Sequence, residues 1–362
     1  ITGTNGKTTT ARMLAHFAAQ SGLKVIRNPT GTNLERGIAS TLIQNAKFTR
    51  TRRGPLDQQF GLGRHTGIWE MDEAAFNIVA PKLNPTLIIF LNVSRDQLDR
   101  YGEVDTVVNN WCSTLSKLDP KTIVLVNEDD KSLAGLEKHF QGRVVKFGKK
   151  NIKNIKLNGL KGSEFQISNI KYQITLPGLY HIYDAAAAIT GATLLNIPAS
   201  SLKGFSPAFG RVEKLVLSDS EGSHPCYIFL IKNPAGATQV FETIAPELKK
   251  KDRLLLALND NLADGKDVSW IWDANFEKFK IENLKLKIFT SGTRAYDLAN
   301  RLKYAGFNPK NISIEPDLEK ALKMAKKDLK GKLFILPTST AMLKLQSILT
   351  KSGVKNHYWK ET

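Results

Sequence analysis

The chain has 362 residues, 41% of them apolar, and 52 Lys and Arg against 34 Asp and Glu give a formal charge of +18. At about 150 residues per domain this predicts two or three domains with ample material for buried cores. No apolar run approaches the roughly 18 residues of a membrane-crossing helix, and the charge excludes an acidic, self-repelling chain while favouring anionic partners: nucleotides, phospholipid headgroups or nucleic acid. The lysine-rich runs Lys149–Lys156 and Lys326–Lys332 read equally as ordinary solvated faces. Two cysteines, Cys112 and Cys226, exclude a disulfide framework and a four-cysteine zinc site, and read as core thiols in a reducing cytoplasm. The chain opens on Ile1, directly at a motif that needs a strand before it, so the natural N-terminus is expected further upstream.

In chain order, Thr9–Ser21 is predicted helical and Thr86–Val93 and Thr122–Val126 are predicted strands. Gly142–Thr175 breaks the rhythm as short polar strands and turns, a small β insertion. A helix-like stretch, Tyr183–Leu195, leads into the turn-rich Phe205–Arg211. Beyond it come strand Tyr227–Ile231, helix Ala237–Lys250, strands Arg253–Leu258 and Lys287–Thr290, helices Arg294–Ala305 and Asp317–Leu329, and strand Leu333–Pro337. Alternating strands and helices predict parallel α/β layers, with one nucleotide domain over 1–210 and a second α/β domain over 211–362.

The strongest motif is Gly3-Thr4-Asn5-Gly6-Lys7-Thr8-Thr9-Thr10, the short G-x-x-G-K-T form of a phosphate loop. Small residues let backbone N–H groups curl around phosphate oxygens, and the helix that follows points its positive end at the same anion. Lys7 suits the β- and γ-phosphates, and the Thr8 hydroxyl suits Mg²⁺. A phosphate loop needs a second metal ligand from a neighbouring strand. In Gly67-Ile68-Trp69-Glu70-Met71-Asp72-Glu73, Glu70 is the expected ligand, with Asp72 and Glu73 as helix-capping residues. Gly61-Leu62-Gly63-Arg64-His65-Thr66 imitates a dinucleotide fingerprint, but its third glycine, Gly67, comes one place late and the stretch precedes a strand, so that reading is rejected.

These residues resemble the Mur ligase family: Gly3–Thr10 is similar to its phosphate loop, Glu70 to its Mg²⁺ carboxylate and Gly210-Arg211-Val212-Glu213 to its interdomain Gly-Arg motif. Glu70–Ala74, Arg95–Glu103, Lys232–Gly236 and above all Asn259–Asp273 narrow the resemblance to the MurT type, the ATP-using subunits of lipid II isoglutaminyl synthases. The resemblance spans essentially the whole chain. It implies a phosphate-loop central domain on a parallel sheet, followed by a Rossmann-like α/β C-terminal domain. It also implies ATP and Mg²⁺, and a GatD-type glutamine amidotransferase that supplies ammonia. Lipid II is the implied substrate, at the cytoplasmic face of the membrane, and its D-glutamate α-carboxyl is the group amidated.

By the same resemblance, Gly3, Thr4, Asn5, Gly6, Lys7, Thr8, Thr9, His181, Asp184 and Arg211 bind nucleotide, Thr8 and Glu70 hold Mg²⁺, and Lys7, Mg²⁺ and Arg211 clamp the transferred phosphoryl group. Asp267 is implied to complete the partner's Cys–His triad, with Trp270 and Trp272 as interface anchors; on the residues alone, Asp264 and Asp267 serve equally as a turn around Gly265 and the tryptophans as core.

Departures from the family pattern carry their own expectations. Gln97 stands where amino-acid-adding Mur ligases have His, which weakens a second side-chain metal site. The four-cysteine zinc ribbon of many MurT-type chains is absent, so no zinc is expected. His181 and Asp184 replace asparagines, and an ionised Asp accepts hydrogen bonds but donates none, which puts adenine preference in question; His181 alternatively is a polar residue at a helix start. Arg95–Gly102 alternatively is a polar surface helix start. Competing functions are an amino-acid-adding or folylpolyglutamate-type ligase, which should lack the Asn259–Asp273 stretch, and a basic nucleic-acid-binding protein, suggested by Arg50-Thr51-Arg52-Arg53 but lacking any aromatic-basic interleaving. No nucleic acid is expected as partner.

Overall fold

The computed structural model describes residues 1–29, 31–45, 65–96, 102–208, 210–219, 222–279 and 286–354. Gly61–Arg64 of the rejected fingerprint, the basic Arg50–Arg53, Gln97–Tyr101 and Phe209 lie outside them. The chain divides into two compact units: Ile1–Ser94 with Tyr101–Ala208, and Arg95–Arg100 with Phe209–Thr362.

In the first unit, α1 (Lys7–Gln20) is followed by β1 (Lys24–Arg27), α2 (Glu35–Asn45), β2 (His65–Ile68), α3 (Glu73–Leu83), β3 (Leu87–Phe90), α4 (Val104–Leu115), β4 (Ile123–Asn127) and β5 (Arg143–Phe147). β1 pairs parallel with β2, and β3, β4 and β5 pair parallel in that order. Ile1 and Thr2 lie between the two groups. Met71 N donates to Ile1 O at 2.9 Å, while Thr2 N donates to Ile89 O and Leu91 N to Thr2 O at 2.9 and 3.0 Å. The residues just ahead of the phosphate loop thus hold a strand position at the sheet centre. The apolar runs of β3 and β4 bury Ile88–Phe90 and Val124–Val126, as expected for strands covered on both faces. Against them pack Phe76 and Trp111, with Cys112 at the margin.

The β insertion expected from 142 starts later. Arg143–Phe147 is a strand of the main parallel sheet, because its alternating pattern pairs with the apolar β4; the separate antiparallel sheet is β6 (Lys153–Leu157), β7 (Ser163–Ile167) and β8 (Ile170–Ile174). After it α5 (Leu179–Leu194) buries its Ala185–Ala188 run all round and packs along α1.

The second unit carries β9 (Glu213–Asp219), β10 (Gly222–Ile228), α6 (Pro234–Ile244), β11 (Arg253–Ala257), α7 (Trp270–Asp273), β12 (Lys287–Ser291), α8 (Ala295–Tyr304), β13 (Ile312–Ile314), α9 (Leu318–Lys326), β14 (Leu333–Pro337) and α10 (Ser339–Lys351). Its six-stranded sheet runs β13-β12-β11-β14-β10-β9, parallel except for the antiparallel edge strand β9. This is the alternation expected of a Rossmann-like layer, with β11 and β14 buried at every residue. β10 starts five residues before the expected Tyr227, because its polar half pairs with β9. Cys226 is fully buried here, and burial pushes its thiol pKa up.

Candidate functional site

The phosphate loop forms the turn from the Ile1–Thr2 segment into α1. Gly3 has φ 137° and a Cβ there would lie 2.7 Å from Asn92 O; Gly6 has φ 87° and a Cβ there would lie 2.1 Å from an Asp184 carboxylate oxygen. Both positions therefore need glycine, for conformation and for space. Asn92 clamps the loop from the end of β3: its Oδ1 accepts from Asn5 N at 2.8 Å and its Nδ2 donates to Asn5 O at 3.0 Å. Thr4 N donates to Asn92 O, and Thr4 Oγ1 is tied to Ser94. Thr10 N donates to Gly6 O at 2.9 Å and sets the first turn of α1, so the free N–H groups at its start face the loop.

Lys7 is buried. Its Nζ donates to Gly3 O, to Thr4 O at 3.3 Å and to Glu73 Oε2 at 3.2 Å. Thr8 Oγ1 donates to Glu70 Oε2 at 2.5 Å. Glu70 follows β2 by two residues, and its backbone is fixed by the side-chain amide of Asn28, which accepts from Glu70 N at 3.0 Å and donates to Glu70 O at 2.9 Å. Asp72 is the N-cap of α3, accepting from Ala74 N at 3.1 Å. Glu73 differs from its expected capping role: its carboxylate is buried and paired with Lys7, while Trp111 Nε1 donates to its backbone carbonyl at 2.9 Å. Glu73 is thus a site residue that sequence reasoning passed over; the available signal was a further carboxylate in the run Glu70–Glu73, beyond the one that capping α3 requires.

His181 and Asp184 sit in the first turns of α5 and are both buried. His181 Nδ1 lies 3.1 Å from Asp184 Oδ2, and Thr10 Oγ1 donates to Asp184 O at 3.3 Å. The pair stands against Gly6. The first unit therefore brings together Gly3–Thr10, Glu70, Glu73, His181 and Asp184.

Two hard oxygens, Thr8 Oγ1 and Glu70 Oε2, converge at the start of α1, beside the phosphate loop. That set suits Mg²⁺, which takes one or two protein oxygens and completes its shell with phosphate and water. Among the described residues no group of three or more His, Cys, Asp and Glu could hold a metal by itself.

Arg211 and Asp267 belong to the second unit. Arg211 is half-buried and follows Gly210, whose N–H donates to Glu213 Oε1 at 2.7 Å. The Asn259–Asp273 stretch is organised around Thr340. Asp264 accepts from Thr340 N at 2.8 Å, and Asn259 and Asn261 each donate to Thr340 Oγ1 at 2.8 Å. Asp267 Oδ1 accepts from Ser269 N at 2.8 Å, and its hydrogen bonds with Ser269 hold the carboxyl below the usual carboxylate range. Ile271 is buried, whereas Trp272 is half exposed, with Tyr304 edge-on to it and the Arg301 guanidinium over its ring. Trp272 is not a core residue.

Residues 1–192 match the Mur ligase middle domain family and residues 230–342 the MurT ligase C-terminal family. The chain is 31% identical, over 98% of its length and 87% of the other's, to the "Lipid II isoglutaminyl synthase (glutamine-hydrolyzing) subunit MurT" of Streptococcus pneumoniae (strain ATCC BAA-255 / R6). It is 28% identical to the subunit of the same name from Staphylococcus aureus (strain COL), over 97% of this chain and 87% of the other. Among solved structures it is similar to MurF from Acinetobacter baumannii, with TM-score 0.72, 14% identity and coverage of 96% of this chain and 74% of that one. It is also similar to folylpolyglutamate synthase from Mycobacterium tuberculosis, with TM-score 0.67, 14% identity and coverage of 98% and 90%. These last two likenesses concern the fold.

Proposed function

The chain belongs to the Mur ligase family, and from that premise we propose that it is the ATP-using subunit of an isoglutaminyl synthase, amidating the α-carboxyl of D-glutamate in the stem peptide of lipid II. The observation that carries this reading is the MurT ligase C-terminal match at 230–342 within a near-full-length likeness to MurT subunits. The relatives' names join "glutamine-hydrolyzing" to "subunit", which supports a separate glutaminase of GatD type as partner.

A carboxylate is a poor acyl donor. In the proposed reaction its oxygen attacks the γ-phosphorus of ATP, the bond to the bridging oxygen of ADP breaks, and an acyl phosphate forms. Ammonia then attacks the carbonyl carbon, phosphate leaves with the bonding pair, and a proton is released. The protein's part is positioning and charge neutralisation. The N–H groups of Gly6, Lys7 and Thr8 at the start of α1 cradle the phosphates, while Asn92 holds the Thr4 and Asn5 N–H groups and so fixes the loop's shape. Lys7 Nζ turns from the loop carbonyls and Glu73 to the transferred oxygens. Thr8 and Glu70 hold Mg²⁺, which supplies charge neutralisation at the phosphates when bound. Arg211 is assigned to the same clamp by its motif. Thr9, His181 and Asp184 complete the nucleotide site. Asp184 has one oxygen engaged by His181 and the other against Gly6, so its support for the loop is direct.

Asp267 is ionised and shaped by Ser269, as a residue that orients the partner's catalytic histidine must be. The exposed Trp272–Tyr304 pair, five residues on from Asp267 at Trp272, offers an aromatic anchor for that partner. No described helix is long and apolar enough to cross a membrane. We place the work at the cytoplasmic face of the membrane, where basic surface meets the anionic leaflet and the substrate pyrophosphate. Zinc has no part in this scheme.

The test supplies the chain with ATP, Mg²⁺ and lipid-linked precursor, offers ammonium and separately a panel of amino acids, and reads the product by mass. Conversion of one carboxyl to a carboxamide is the expected result. Extension by an amino acid overturns the reading in favour of an amino-acid-adding ligase.

A further inference from the structure

Asp96 belongs, with Arg95, to the second unit. Its side chain is buried, 5% exposed, and its Oδ2 accepts from Lys232 Nζ at 2.8 Å and Asn233 Nδ2 at 3.2 Å. Its other oxygen, Oδ1, is buried with no hydrogen-bond partner. A buried carboxylate oxygen without a donor is costly, so such an atom in a structured site marks a missing guest. Asn233 does not swing over to it: Asn233 Oδ1 is committed to Gly236 N at 2.8 Å as the N-cap of α6.

Asp96 lines a cavity of about 10 Å³, shared with Asp264, Asp267, Asp273, Lys232 and Arg95. That is room for one water-sized guest. Four carboxylates face two cationic side chains there, so the cavity favours a positive guest, and the orphaned oxygen asks for a hydrogen-bond donor. Hydrated Mg²⁺ is too large for it. Ammonium is water-sized, cationic and a donor in every direction.

We propose that this cavity binds one ammonium ion on Asp96 Oδ1, and that the nitrogen of the amidation waits there. The role in amidation rests on the function proposed above; the cation site itself rests on the cavity and the orphaned oxygen. Asp267, assigned to the partner's glutaminase, lines the same cavity, so nitrogen freed beside Asp267 meets in that wall an unsatisfied acceptor, Asp96 Oδ1.

Crystals of the full chain soaked in thallium(I), an electron-rich substitute of ammonium's charge and similar size, test the site. An anomalous peak beside Asp96 is expected, displaced by excess ammonium but not by sodium, and absent in Asp96→Asn. No peak at Asp96, or one that potassium displaces as readily as ammonium, overturns the assignment. The displacement uses the unaltered chain, so it stands even where Asp96→Asn fails to fold. In steady state, Asp96→Asn is expected to raise the apparent KM for ammonium tenfold or more and leave that for ATP unchanged. A displaceable peak without amidation refutes the proposed function and keeps the cation site; amidation without a peak does the reverse.

Discussion

Gly6 shows how tightly single residues are specified. It adopts a left-handed φ of 87°, and an Asp184 oxygen occupies the space a Cβ would take. Gly6→Ala is expected to cost about 1–3 kcal/mol in stability from backbone strain and to weaken ATP binding at least tenfold, measured by thermal melting and calorimetric titration. Asp267 makes a different demand. In Asp267→Asn, glutamine-driven amidation by the assembled complex should fall by orders of magnitude while ammonium-driven amidation persists; equal loss of both would remove its assignment to the partner's triad. Because Ser269 depresses its carboxyl pKa, Asp267 remains ionised at neutrality, and its contribution to stability is complete above the usual carboxylate value of about 4 and lost as pH falls through the lower folded value. The phosphate loop was legible because its working residues are contiguous and each type has one chemical use there. The Lys7–Glu73 pair was not: its members are 66 positions apart, and an acidic residue at a helix start has an adequate local explanation in capping.

At the level of elements, α9 offers a clean test of capping. Asp317 accepts from Lys320 N at 2.9 Å, and this bond holds its carboxyl below the usual range. Asp317→Ala is expected to lower stability by about 1 kcal/mol. The sign with pH is that of a depressed carboxylate: the difference between variant and parent is present above about pH 4 and vanishes as pH falls through the folded pKa, as melting curves across that range would record. Elements such as β11 and β14 were readable because strands covered on both faces appear as unbroken apolar runs. β2 was readable as the strand leading to Glu70, but β1 was not, being four residues with Lys24 and Arg27 at its ends and held by a partner distant in sequence. The same holds for Arg143–Phe147, whose alternation suits a small polar sheet as well as the edge of a larger one; only the presence of β4 beside it decides.

On the scale of the whole molecule, charge and metal content are the accessible observables. With +18 overall, of which Gly142–Thr175 contributes eight basic residues against the single acidic Glu164, cosedimentation with vesicles is expected to rise with their anionic lipid content and fall with salt. Binding indifferent to lipid charge would remove the leaflet from the scheme. Purified protein should contain no stoichiometric zinc, measured by emission spectrometry. The alternation of strands and helices announced two α/β layers, yet it carried no sign that Arg95–Arg100 groups with the second of them, since such grouping is decided by contacts with Lys232 and Asn233 more than a hundred positions away. That short excursion bears on modularity. The chain passes between its units three times, so a cut in the linker near residue 208 does not separate two self-sufficient pieces. A fragment starting at Phe209 would leave behind the carboxylate that Lys232 and Asn233 hold, and a fragment ending at Ala208 would carry that carboxylate without them.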